Sequence, residues 1–135
     1  MEKQEKIESS LKFCEYVVDE VLFKRNINLP DDVNSWKTDF DIACQIHVNE
    51  EKTHMNVKLE VEIFKKTEEP PFTMKVVMEG FFEMIGVDKI EKYKANAIAI
   101  MYPYLRALVS TYTANSNVLP LILPAINVNA MLEEK

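Results

Sequence analysis

Two runs of alternating residues constrain this chain more than anything else in it. Phe40, Ile42, Cys44, Ile46 and Val48 alternate with polar or small residues, and after Asn49–Lys52 the period returns in Met55, Val57, Leu59, Val61 and Ile63. A period of two marks a strand with one face in a core, and a one-residue slip would move its whole apolar set to solvent. A hairpin centred between Glu50 and Glu51 is therefore expected, opposing 48 with 53, 46 with 55, 44 with 57 and 42 with 59. With no glycine in the connection, a four-residue type I turn suits it better than a tight primed turn.

The rest of the chain fits around this hairpin. Leu11–Phe23 (LKFCEYVVDEVLF) is rich in β-branched and aromatic residues but alternates imperfectly, so a long strand with a bulge near Val17–Val18 is expected. Residues 2–10 make only a weak helix start, and Arg25–Lys37 is a polar connection carrying the lone tryptophan, Trp36. After the turn at Thr67–Pro71, Phe72, Met74, Val76 and Met78 alternate again. Gly80 then interrupts the pattern, as glycine does at a bulge or a close backbone approach, and Gly86 closes the element.

From Ile90 the spacing becomes helical, with Ile98, Met101, Tyr104, Leu105, Leu108 and Tyr112 on one stripe. Pro103 should kink or restart that helix near Met101–Tyr102, and Asn115–Asn117 should stop it. The next segment, VLPLILPAI, is neither a good helix nor an ordinary surface loop, and it needs cover from the sheet, another subunit or a client. A short helix capped by Asn127 or Asn129 ends the chain. Four strands followed by a helix give an α+β class, a four-stranded antiparallel sheet in a single domain of 135 residues. The helix is long for covering one such sheet, so subunit packing is a use for its other side.

Composition excludes several classes. A net charge of -6 without a lysine or arginine block argues against nucleic acid and anionic lipid. The polar start MEKQEKIESS is not a signal peptide, and no apolar run approaches the ~20 residues of a membrane span. A cytoplasmic location without membrane insertion is expected, with Cys14 and Cys44 as buried or idle thiols. Only two glycines are present, which rules out the glycine-rich phosphate loops, and neither G-x-S-x-G nor H-E-x-x-H occurs. No enzyme activity and no cofactor are expected.

Two clusters have chemical potential. The hairpin register puts His47 opposite His54 on the outer face, with Cβ atoms about 4.5–5.5 Å apart, close enough to share a metal. No third ligand is placed beside them, so a solvated pair and no metal site is expected. On the same face Asp39 would oppose Glu62, and Asp41 would oppose Glu60. Facing carboxylates cost stability, so they form either a solvated surface or a docking surface for a basic partner. Catalysis would need burial to raise a carboxyl pKa, which nothing suggests. Trp36, outside any strand pattern, either pins its loop or lines a groove whose other wall is VLPLILPAI, while Tyr104 and Tyr112 lie on the helix stripe as core.

The run YPYLRALVSTYTANSNVLPLILPAINVNAM resembles the C-terminal signature of the SecB family of protein-export chaperones. Tyr102, Pro103, Tyr104 and Arg106 match its aromatic-Pro-Tyr-x-Arg helix. Pro120, Leu121, Leu123, Pro124 and Asn127 correspond to the proline-leucine strip and the start of the last helix, with small shifts of order. Gly80-Phe81-Phe82 with Ile85-Gly86 is similar to the family's fourth strand, and Trp36 before Asp39–Phe40 to its crossover-loop tryptophan. The likeness runs from about Val17 to the end.

The resemblance implies a non-enzymatic, ATP-independent holdase that wraps unfolded client polypeptides in apolar grooves. It also implies a homotetramer built as a dimer of dimers, with a plain dimer equally compatible. Carried onto this sequence, the groove would involve Trp36, Phe40, Tyr104, Leu108, Tyr112, Leu119, Leu121 and Leu123. Export members recruit the SecA motor through an acidic sheet surface and a C-terminal tail. Glu20 matches that surface, and Asp39, Asp41, Glu60 and Glu62 could substitute for the rest. Lys24 and Lys75 stand where acids are usual, and a stub replaces the longer last helix and acidic tail, so SecA docking is not expected. Some relatives instead serve one client such as an antitoxin. A structural adaptor with the same fold is the remaining alternative.

Overall fold

The hairpin forms, two residues away from its expected register. In the computed structural model, which describes residues 10–27, 39–85 and 90–133, strands β2 (Phe40–Val48) and β3 (His54–Ile63) pair Val48 with Met55 and Phe40 with Ile63. The cause lies in Asn49. Its carbonyl accepts the Lys52 N–H at 3.0 Å, closing the four-residue turn with Lys52 in the left-handed region at φ 59°. Its side-chain Oδ1 then accepts the N–H groups of Thr53 (2.8 Å) and His54 (3.0 Å), which draws Thr53 into the loop. Asparagine side chains supply such turn bonds readily. A shift of two keeps every side chain on its face, but it puts His47 opposite Asn56 instead of His54.

The sheet is antiparallel with order β1-β4-β3-β2, where β1 is Leu11–Arg25 and β4 is Phe72–Met84. β1 and β2 are consecutive in the chain yet sit at opposite edges. The register of β1 on β4 shifts twice, between Phe13 and Glu15 and between Val18 and Glu20. These two irregularities explain the imperfect alternation. They let Leu11, Phe13, Tyr16, Val18, Val21 and Phe23 face the same way as Met84, Phe82, Gly80, Met78, Val76 and Met74. β4 runs through Gly80 without a break, so the glycine marks a close approach and not an interruption.

The inner face is covered by α1 (Ile90–Ala114), which lies over β4, β1 and β3. Ile98, Met101, Leu105 and Val109 of α1 are fully buried against Met55, Val57, Leu59, Val61, Val76 and Met78. Pro103 stays inside one continuous helix, without the expected restart. It sits on the exposed side, where the Ala99 carbonyl it leaves without a helical partner can reach water. The helix stops as expected, with Asn117 left-handed at φ 57°. A second helix, α2 (Val128–Glu133), is capped by Asn127, whose Oδ1 accepts the Ala130 N–H at 3.0 Å. The weak helix start before Ser10, Trp36 and Gly86 lie outside the described residues.

Candidate functional site

Prolines at 120 and 124 deny the segment between the helices the N–H groups that strand pairing needs. Side chains of α1 bind its backbone instead. The Tyr102 hydroxyl donates to the Pro124 carbonyl, Arg106 Nε donates to the Leu123 carbonyl at 2.9 Å, and Ser110 Oγ donates to the Leu121 carbonyl at 2.8 Å. Thr113 Oγ1 accepts the Leu121 N–H at 2.9 Å and donates to the Val109 carbonyl at 2.8 Å. The steps 102, 106, 110 and 113 follow one flank of a helix. Residues 118–126 thus form a strap laid back along α1.

The opposite flank of α1 faces β1. Tyr104 meets Phe13 and Tyr16 at ring separations of 5.7 and 4.9 Å, and Tyr112 meets Phe23 at 5.4 Å. Since β1 is one edge of the sheet, the strap lies on the side toward β3 and β2. Leu123 is its anchor, fully buried in the core, with Val118, Leu121 and Ile126 half-buried. Leu119 and Ile122 point away and are 66% and 71% exposed. Between the strap and α1 runs a groove of about 600 Å³, walled by Pro103, Ala107, Thr111, Ala114, Pro120 and Ile122. Phe40, Ile42, Ile46 and Val48 of the edge strand β2 are only half-buried.

The eight groove residues named from the sequence therefore divide between two flanks of α1. Leu119, Leu121 and Phe40 lie on the strap side, and Tyr104, Leu108 and Tyr112 on the β1 side. Leu123 offers no surface at all, because it plugs the core, and Trp36 lies outside the described residues. Tyr104 and Tyr112, read as core, are half-exposed because the buried stripe is centred on Met101 and Leu105. Beside them Tyr16 and Val18 of β1 add further exposed apolar surface. Among the strap-holding residues, Ser110 and Thr113 were missed, and Tyr102 and Arg106 were named only as part of the family signature, without this role. Their common helical phase was a usable signal.

Charges on the outer face are paired locally. The register places Asp41 opposite Glu62, and Glu60 opposite Ala43, in place of the expected Asp39–Glu62 and Asp41–Glu60 pairs. Lys66 lies 3.3 Å from Asp41 and Lys65 lies 3.5 Å from Glu62. Asp39 Oδ2 accepts the Lys66 N–H at 2.8 Å and the Thr67 hydroxyl at 3.2 Å. Lys75 reaches Glu60 at 3.1 Å and Glu20 at 3.5 Å, and its bond to Glu60 together with both negative charges raises its pKa. Glu79 is also raised, by partial burial and then by Asp19 beside it, with Lys58 opposing. His54 Nδ1 is 2.9 Å from Thr53 Oγ1. Among the described residues no three histidine, cysteine or acidic side chains converge as a metal site would need, and no helix is long and apolar enough to cross a membrane.

Comparison with known proteins matches this arrangement. The family model described as preprotein translocase subunit SecB matches residues 10–135. The chain is 34% identical over 129 residues to the uncharacterized protein MJ0357 of Methanocaldococcus jannaschii, covering 91% of this chain and 83% of that one. Its fold is similar to that of the Mycobacterium tuberculosis SecB-like chaperone Rv1957, solved in complex with a ChAD peptide from the Rv1956 HigA1 antitoxin. That likeness has a TM-score of 0.69 at 14% identity, over 87% of this chain and 91% of the other. With the family model matched over residues 10–135, the chain belongs to the SecB family.

Proposed function

We propose that this protein is an ATP-independent chaperone that holds non-native polypeptides on an apolar surface and catalyses no reaction. The observation that carries the reading is the strap, which presents Leu119 and Ile122 to solvent on the side of α1 where the β2 face is half-covered. Burying such side chains against an unfolded chain is favourable, non-directional and indifferent to client sequence. Membership of the SecB family supports the same reading. The exposed side of α1 and the apolar edge at Tyr16 and Val18 suit self-association, as a dimer or a dimer of dimers. The reading places the protein in the cytoplasm, where thiols such as exposed Cys14 stay reduced.

A dedicated chaperone of one client is the second reading, supported by the antitoxin peptide bound to the chaperone of similar fold. A SecA-type motor forms no part of the proposal, since the acids that would recruit it already carry local partners. Light scattering from an aggregating, chemically unfolded client tests the general reading. Suppression at a few-fold molar excess is expected. Failure with several unrelated clients, together with capture of one specific partner, would favour the dedicated chaperone.

A further inference from the structure

The strap repeats itself. Residues 119–122 read Leu-Pro-Leu-Ile and residues 123–126 read Leu-Pro-Ala-Ile, so leucine, proline and isoleucine recur at a spacing of four. The two copies have different surroundings. Leu123 is fully buried and Ile126 half-buried, whereas their equivalents Leu119 and Ile122 stand in solvent.

The grip of α1 on this segment does not distinguish the copies, because it acts on backbone groups. The carbonyls taken by Tyr102 and Arg106, of Pro124 and Leu123, have counterparts on Pro120 and Leu119. The Leu121 carbonyl and N–H held by Ser110 and Thr113 have counterparts on Asn117, which is not a proline and keeps its N–H. A slide of four residues returns leucine, proline and isoleucine together to places now held by leucine, proline and isoleucine. Bringing Asn117 beside Thr113 leaves two residues, Asn115 and Ser116, to close the loop from Ala114, three peptide steps with a reach of about 10 Å.

We infer that the strap has two docking registers on α1, four residues apart, and that in the second Leu119 fills the core site of Leu123 while α2 is let go. The second register is the minor one. It gives the half-buried place of Leu121 to Asn117 and gives up the half-buried Val128, Met131 and Leu132. The population of a minor state of this kind falls exponentially as that free-energy difference grows. If the chaperone reading holds, the slide exchanges one exposed aliphatic copy for the other and uncovers what α2 overlies, so the client surface switches between two states. That consequence rests on the proposed function. The register exchange does not.

Thermal unfolding of the full chain tests it without any client. The variants are Leu119→Ala, Leu123→Ala, the double variant, and Leu105→Ala as a fully buried reference. With two registers, Leu119→Ala leaves Tm unchanged, Leu123→Ala lowers it clearly less than Leu105→Ala, and the double variant falls well beyond the sum of the singles. A double variant no worse than Leu123→Ala overturns the inference, and so does a Leu123→Ala chain that fails to fold, because the neighbouring leucine then does not replace the lost one. Since no client enters, failure here leaves the light-scattering result standing on its own.

Discussion

Gly80 of β4 lies so close beneath Met101 of α1 that a Cβ at position 80 would sit 2.5 Å from the Met101 sulfur and 3.0 Å from its methyl carbon. This row, where Gly80 pairs with Tyr16 on one side and Val57 on the other, is where the helix comes down on the sheet. Gly80→Ala is expected to over-pack that contact. The end of a methionine side chain can rotate away, so the cost should lie near the low end for over-packing, ~1 kcal/mol. Urea denaturation checks it, and an unchanged midpoint would mean that the helix does not rest on this glycine.

Tyr102 ties the strap to the helix, and burial holds its phenol above the ordinary value while the nearby Arg106 charge pulls the other way. The folded state therefore favours the neutral phenol. Its contribution is complete below the ordinary phenol pKa of 10.0 and is lost as pH rises through the higher folded value. Tyr102→Phe leaves the Pro124 carbonyl without this donor, at a cost of about 1 kcal/mol near neutrality. In an alkaline ultraviolet titration the same variant should lose one late-titrating phenol. A titration curve that keeps this late step would contradict the assignment.

Lys75 stands between Glu20 and Glu60 on the outer face. Lys75→Glu would place three carboxylates together on adjacent strands, so Tm should fall at low ionic strength and recover as salt screens the repulsion. A fall that is the same at high salt would point to packing by the lysine stem instead of charge.

What could be read from residues alone tracks the range of the interaction. The alternation at 40–63 placed two strands and their buried faces correctly, because strand period is local. The register missed by two because the side chain of Asn49, not the turn backbone, decides where Thr53 goes. β1 was legible as a strand but not as a partner of β4, since two irregularities blur its period and its neighbour is distant in the chain. The strap's need for cover was legible from its prolines. Which leucine is covered was not, because Leu119 and Leu123 each head a Leu-Pro-x-Ile tetrad and the local sequence gives them the same pattern.

The most direct measurement is the affinity of an unfolded, fluorescently labelled client for the chain carrying Leu119→Glu and Ile122→Glu. Both residues are exposed, so the fold should be kept, as circular dichroism would verify. If the strap side of α1 is the client surface, losing two apolar contacts should weaken binding by at least about tenfold. Unchanged affinity in a folded double variant would contradict that assignment.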